Sequence, residues 1–251
     1  MDETLDRRLN MAAAADHSIK LFELVLEDGR SASPFVWRIR YALAHKGLTC
    51  EAVKLSFTGI AATFGGRFKT VPVIEHGATL MAESWDIAEY LDRAFPDRPR
   101  LFSGPAELAM VRLMDAWFTS EVIRKMFRLY VKDVHDAAHP EDRAYFRQSR
   151  EKNLKGETLE SFTAERATYL PALRTSLAPL RAHLAKFAYL GGDTPNYADY
   201  IGLSAFHWAA SVATLPLLAP DDTLRAWLDR GFALYGGMGR DARINPLFER
   251  G

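Results

Sequence analysis

The period of the hydrophobic positions changes near residue 96. Before it, short apolar runs of strand length alternate with stretches of helical spacing; after residue 105 the spacing is helical throughout. Residues 21–26 (LFELVL) predict a strand. Residues 34–46 put Phe35, Ile39, Ala42 and Leu43 on one helical face, with Ser33 as N-cap, Pro34 in the first turn and Gly47 as the stop. Residues 49–55 predict a second strand and complete a β-α-β unit. After a Gly65-Gly66 loop, 71–75 and 79–81 flank His76-Gly77 as a hairpin. A helix then runs from Trp85 to about Phe95, with Ile87, Leu91 and Ala94 inward, and Pro96 ends it.

This order predicts an α/β thioredoxin-like N-terminal domain over residues 18–96, with helices layered on a mixed sheet. Residues 97–105 (DRPRLFSGP), rich in proline and charge, read as a linker. Helical patterns over 106–136, 141–155, 170–187, 197–213 and 223–235 predict an all-α C-terminal helical bundle over 106–251. Residues 1–17 read as a polar leader, with Met11 as an alternative start.

Composition narrows the classes. The 251 residues are 48% hydrophobic, enough for one large core or two small ones. Lysine plus arginine and aspartate plus glutamate number 32 each, so no global field draws nucleic acid or an anionic membrane. No apolar run approaches the roughly 20 residues of a membrane span. Cys50 is the single cysteine, which rules out an intramolecular disulfide and suits a reducing, cytoplasmic compartment. In its strand, Cys50 reads as a small buried apolar residue. His135-Asp136-Ala137-Ala138-His139 imitates a zinc-binding H-E-x-x-H helix, but the acid is aspartate, Pro140 interrupts, and no third ligand follows. With Lys132, Asp133, Glu141 and Asp142 around it, the segment reads as a solvated helix end, and no metal is expected. Gly65-Gly66-Arg67 lacks the ending of a phosphate loop and reads as a flexible connection.

Three short stretches carry the candidate chemistry. Ser33-Pro34 opens a helix whose N-terminus bears partial positive charge, and the Ser33 hydroxyl can donate to a sulfur anion just outside it. Both effects pull a thiol pKa of about 8.5 toward neutrality. Ser31 is a second candidate donor. Val71-Pro72 opens a strand; a cis bond there exposes the backbone of Val71 for pairing with a peptide, with Lys69 and Thr70 beside its far end. Glu83-Ser84 precedes the next helix, Ser84 as N-cap, where the helix end suits a carboxylate and Glu83 an ammonium. A γ-glutamyl group carries both charges on one carbon. Together the stretches point to glutathione as the bound cofactor.

On these residues the chain resembles the glutathione transferase superfamily over nearly its whole length after the leader. Ser33-Pro34-Phe35-Val36 resembles the catalytic-serine stretch of the serine-type classes, Val71-Pro72 their cis-proline, and Glu83-Ser84 their γ-glutamyl site. Asn196-Tyr197-Ala198-Asp199 resembles the family's N-capping box, with Asn196 for the commoner Ser or Thr. SPFVWR (33–38), FTGI (57–60), GGR (65–67), VPVI (71–74), ESWDIAEYL (83–91), LGGDTPNYADY (190–200) and NPLF (245–248) are similar to bacterial lignin β-etherases, grouped with fungal-type serine transferases. The resemblance implies a homodimer that uses glutathione on a small aromatic substrate, breaking β-aryl ethers of lignin-derived compounds. General conjugation, isomerisation of a maleyl-type diacid and non-catalytic ligand binding are its rivals.

An aromatic acceptor needs an apolar wall. Trp117, Phe118, Phe127, Tyr130 and Trp208 are the candidates, and because aromatic stripes at helical spacing are usually core, about two of the five are expected to line a pocket.

Overall fold

The computed structural model describes residues 18–242; the leader at 1–17 and the NPLF stretch at 245–248 lie outside them. Strand β1 (Ile19–Leu24) crosses over through helix α1 (Pro34–His45) to β2 (Cys50–Leu55). Helix α2 (Phe57–Thr63) follows, then the hairpin β3 (Val73–His76) and β4 (Thr79–Ala82), then α3 (Ser84–Ala94). The sheet order is β2-β1-β3-β4, with β1 parallel to β2 and antiparallel to β3. This is the thioredoxin-like mixed sheet predicted. The strands alternate little, because helices cover the sheet and leave Ile19, Leu21, Leu24, Val73 and Ile74 buried.

Helices follow from residue 105 onward: α4 (Pro105–Trp117), α5 (Arg124–Ala137), α6 (Pro140–Glu151), α7 (Leu159–Ala164), α8 (Arg166–Ser176), α9 (Ala178–Leu184), α10 (Tyr197–Val212) and α11 (Leu224–Gly237). The single helix predicted over 106–136 is broken by a π-helical turn, Phe118–Ile123, which rotates α5 relative to α4. The helix predicted over 170–187 is two, since Pro171 lies inside α8 and Pro179 opens α9. The short α7, held by a Thr158–Ser161 capping box, was not predicted.

All sixteen residues of α10 are buried. Its capping box forms as predicted: the Asn196 side chain accepts from Ala198 N–H at 2.9 Å, and Asp199 accepts from Asn196 N–H at 3.1 Å. Asp199 also takes the N–H groups of Leu190 and Gly191 and the Trp227 indole, so this buried carboxylate ties three segments together.

The seam between α1 and α10 joins the sheet layer to the helical layer. The His207 ring is stacked between Trp37 and Phe232, each 4.0 Å away centroid to centroid. Tyr41 donates its hydroxyl to the Gly231 carbonyl at 3.2 Å, and His207 Nε2 lies 2.8 Å from the Tyr41 oxygen. This chain assigns the proton to Nε2 and leaves Nδ1, buried without a partner, as a bare lone pair. Gly239 covers the ring; a Cβ there would sit 2.7 Å from Nε2 and 2.8 Å from the Tyr41 oxygen.

Burial differs from expectation at Asp133, Asp142 and Cys50. Asp133 and Asp142 are buried rather than solvated. Asp133 takes Arg166 at 2.8 Å and the Thr214 N–H at 3.0 Å. Asp142 accepts from Phe57 N–H (2.7 Å), Thr58 N–H (3.0 Å) and the Thr58 hydroxyl (2.6 Å), while Ser56 caps Gly59 N–H. The first-turn donors of α2, a helix absent from the sequence prediction, are thus met from α6, which the spacing over 141–155 predicted. Desolvation pushes the Asp142 carboxyl up, but these donated bonds outweigh it and hold it below the usual carboxylate range. Cys50 is exposed at the start of the edge strand, not buried.

Burial holds the His207 pKa down at about 3, with Arg40 adding to the effect. That is below the unfolded value of about 6.5. Between the two the unfolded chain takes up a proton that the folded one refuses. Stability from this site is therefore complete above the unfolded pKa and is lost as pH falls toward the folded one. Lowering pH from about 7 to about 5 is expected to cost about 2 kcal/mol through His207 alone. Denaturant titrations of wild type and His207→Phe at both pH values check this. A variant with the wild-type pH slope contradicts it.

Candidate functional site

A cleft of about 420 Å³ opens where the sheet layer meets α5, α6 and α10. Its polar end is built by two helix N-termini and a loop. Ser33 sits at the N-cap of α1 with extended backbone, and its Oγ accepts from Val36 N–H at 3.3 Å. Pro34 has no N–H, and Trp37 N–H closes the first turn on the Ser33 carbonyl. The Ser33 hydroxyl keeps its own hydrogen for a group in the cleft.

Glu83 caps α3 with φ 69° and ψ 113° and no side-chain cap bond. A non-glycine residue there holds about 1–3 kcal/mol of strain, of the kind found at ligand sites. No side chain caps the first α3 donors, and a helix end without a cap is a ready anion site. Ser84, predicted as the N-cap, is instead the first helical residue, buried, with its carbonyl accepting from the Tyr197 hydroxyl at 2.9 Å. The Val71–Pro72 bond is cis. Val71, Pro72, Lys69 and Thr70 line the cleft together with Ser33, Glu83 and Ser84.

Ser31 does not join them. Its carbonyl accepts from the Trp37 indole (3.2 Å) and the Ser211 hydroxyl (3.0 Å), which sets it in the seam behind α1; its Oγ is buried without a partner.

The other end is apolar. Of the five aromatic candidates, Phe127 and Trp208 line the cleft and three do not. Phe118 is fully buried against Gly202. Tyr130 is buried with its hydroxyl on the Leu215 carbonyl at 2.9 Å. Trp117 packs edge-on to Phe118 at 5.0 Å. Ile123 of the π-helical turn and Phe127, Val131 and Val134 of α5 face the cleft, while Phe118 and Tyr130 are in the core. Sequence reasoning missed the remaining wall, Phe57 and Ile60 of α2 and Phe146 and Arg150 of α6. The FTGI stretch was visible, but its helical state depends on Asp142.

His135 Nδ1 lies 2.9 Å from Asp136, which also takes Lys132 at 2.7 Å. Among the described residues no helix is long and apolar enough to cross a membrane.

Two family models divide the chain. Glutathione S-transferase, N-terminal domain, matches residues 29–99, and Glutathione S-transferase, C-terminal domain, matches residues 109–215. Glutathione S-transferase U1 of Arabidopsis thaliana is 31% identical over 123 residues, 48% of this chain and 52% of that protein. The chain spans about half the length of such curated relatives. The crystal structure of the glutathione S-transferase CsGST63524 of Ceriporiopsis subvermispora in complex with glutathione aligns with a TM-score of 0.73 at 22% identity, over 86% of this chain and 96% of that one. The β-etherase LigF from Sphingobium sp. strain SYK-6 aligns with a TM-score of 0.63 at 19% identity, over 92% and 97%. At these identities the structural likeness is one of fold. With N- and C-terminal models matched in order on a shared fold, the chain belongs to the glutathione S-transferase superfamily.

Proposed function

We propose that the protein is a serine-type glutathione transferase that uses the bound thiolate to cleave β-aryl ethers of small aromatic compounds. The observation that carries this is two helix N-termini, those of α1 and α3, opening on one cleft whose far wall is apolar and aromatic. The γ-glutamyl end lies at Glu83 and Ser84, the central residue pairs with Val71 beside Pro72, and Lys69 receives the glycyl carboxylate. Ser33 donates to the sulfur, and the α1 dipole favours its anionic form. Residues 18–96 hold the peptide, and residues 106–251, joined by the linker at 97–105, close over the acceptor.

The thiolate attacks the saturated carbon bearing the aryloxy group. A C–S bond forms, the C–O bond breaks, and its electron pair leaves with the phenolate. A phenol of pKa about 10 departs without a strong acid, so orientation and thiolate stabilisation supply the rate. Phe57, Phe127, Phe146 and Trp208 suit an aryl ring on both sides of the reacting carbon. Conjugation to general electrophiles uses the same groups and is the second reading.

Incubation with glutathione and a β-aryl ether of a fluorescent phenol tests this. Release of the phenol with stoichiometric thioether is expected, falling at least about tenfold in Ser33→Ala. Conjugation of an aryl halide without phenol release reduces the function to general transfer. Glutathione binding with neither product leaves a carrier.

The assembly we propose is a homodimer across α4. Met110 and Leu113 are 59% and 60% exposed on that helix, an apolar pair that suits burial against a second copy. Light scattering is expected to give a dimer for wild type and a monomer for Leu113→Asp. A monomeric wild type, or a dimeric variant, contradicts it.

A further inference from the structure

Thiolate chemistry makes no use of Arg150, the one arginine among the residues lining the cleft. It stands in the last turn of α6, where the helix C-terminus favours a cation. The other arginines of that helix are paired. Arg143 meets Glu27 at 3.2 Å, and Arg147 meets Glu151 and Glu160 at 2.9 and 2.8 Å. Among the described residues Arg150 has no carboxylate within ion-pair distance, and its guanidinium donates to the Ser149 hydroxyl at 3.2 Å.

Aromatic rings take the place of a counter-ion. The guanidinium lies 4.7 Å from the centre of the Phe146 ring and 6.0 Å from that of Phe57, both in the apolar wall. Desolvation there lowers its pKa from the usual guanidinium range. A guanidinium is still charged at any working pH, and a partly desolvated charge without a partner is costly unless something supplies one. Lys69 and Glu83 are the other charged residues of the lining, and the proposed reading gives both to glutathione. The acceptor half is left with one uncompensated positive charge beside two aromatic faces.

We propose that Arg150 is the anion-recognition residue of the acceptor subsite and selects planar aromatic acceptors that carry a carboxylate. This rests on the reading that the apolar half of the cleft holds the acceptor. Phe146 holds one face of the guanidinium, so its edge donors are the ones free for a bidentate pair with the carboxylate. The aryl ring of the same acceptor lies against Phe57 and Phe127.

Equilibrium binding, followed by quenching of tryptophan fluorescence, tests this without turnover. The protein is saturated with S-methylglutathione, then titrated with naphthalene-2-carboxylate or with naphthalene-2-carboxamide, its uncharged counterpart. Wild type is expected to bind the carboxylate about tenfold more tightly, the scale of a charge-assisted pair. Arg150→Met keeps the stem over Phe146 and is expected to level the two affinities; Arg150→Lys is expected to retain part of the preference. Equal affinities in wild type, or a preference that survives in Arg150→Met, overturn the proposal. So does a loss of S-methylglutathione affinity with the ratio unchanged, which assigns the guanidinium to the peptide instead. Should Arg150→Met fail to fold, the wild-type ratio and the Lys variant still decide. Because no bond is made or broken, absence of phenol release in the etherase assay leaves this measurement intact.

Discussion

A helix with no solvent face has to be surrounded, and in this protein the surrounding of α10 fixes the rest. Helix α1 lies between the sheet and α10, with Trp37 and Tyr41 reaching His207 on the far side. Moving α1 along its axis would unstack the ring from Trp37 and Phe232 and part Tyr41 from Gly231. The polar groups of the seam reinforce it: Ser211 donates to the Ser31 carbonyl, and Arg30 donates to the carbonyl of Ser211. The N-terminus of α1, and Ser33 with it, is therefore set by packing that lies outside the cleft.

From that placement the electrostatics follow. An anion entering the cleft meets the amino ends of α1 and α3 together, in a site lined mainly by apolar side chains, where such dipoles act more strongly than in water. Glu83 shows what this arrangement costs locally, since its backbone is held at positive φ by the chain on both sides. The far wall comes from α5, α6 and α10, much later in the chain, and Asp142 is what ties α6 to it. By taking the first-turn donors of α2, that carboxylate binds the sheet layer to α6 and sets Phe57 against Phe146 at 4.9 Å.

The α/β start and the helical remainder were legible because period is a local property. So were the Ser33 cap, the Asn196–Asp199 box and the cis-proline stretch, each carried by neighbouring residues. The failures share a cause, which is dependence on distant partners. Helix α2 has only seven residues, and beside its local Ser56 cap it needs a carboxylate from 85 positions away, so its own sequence is too short to announce it. Asp133 and Asp142 stand in a charged stretch that reads as solvated, and only the fold shows that they are buried. Phe118 and Tyr130 belong to the core, since aromatic residues at helical spacing do not by themselves say which face meets the cleft. Arg150 hides among paired arginines of identical appearance, and what distinguishes it is the partner it lacks.

The central claim is that the α1 N-terminus and the Ser33 hydroxyl hold a sulfur anion. The ultraviolet thiolate band of glutathione bound to wild type and to Ser33→Ala, followed as a function of pH, tests it most directly. In wild type the band is expected to persist well below the pKa of free glutathione, and in the variant to shift to higher pH. A bound tripeptide with an unperturbed thiol in wild type, or the same titration in both proteins, contradicts it.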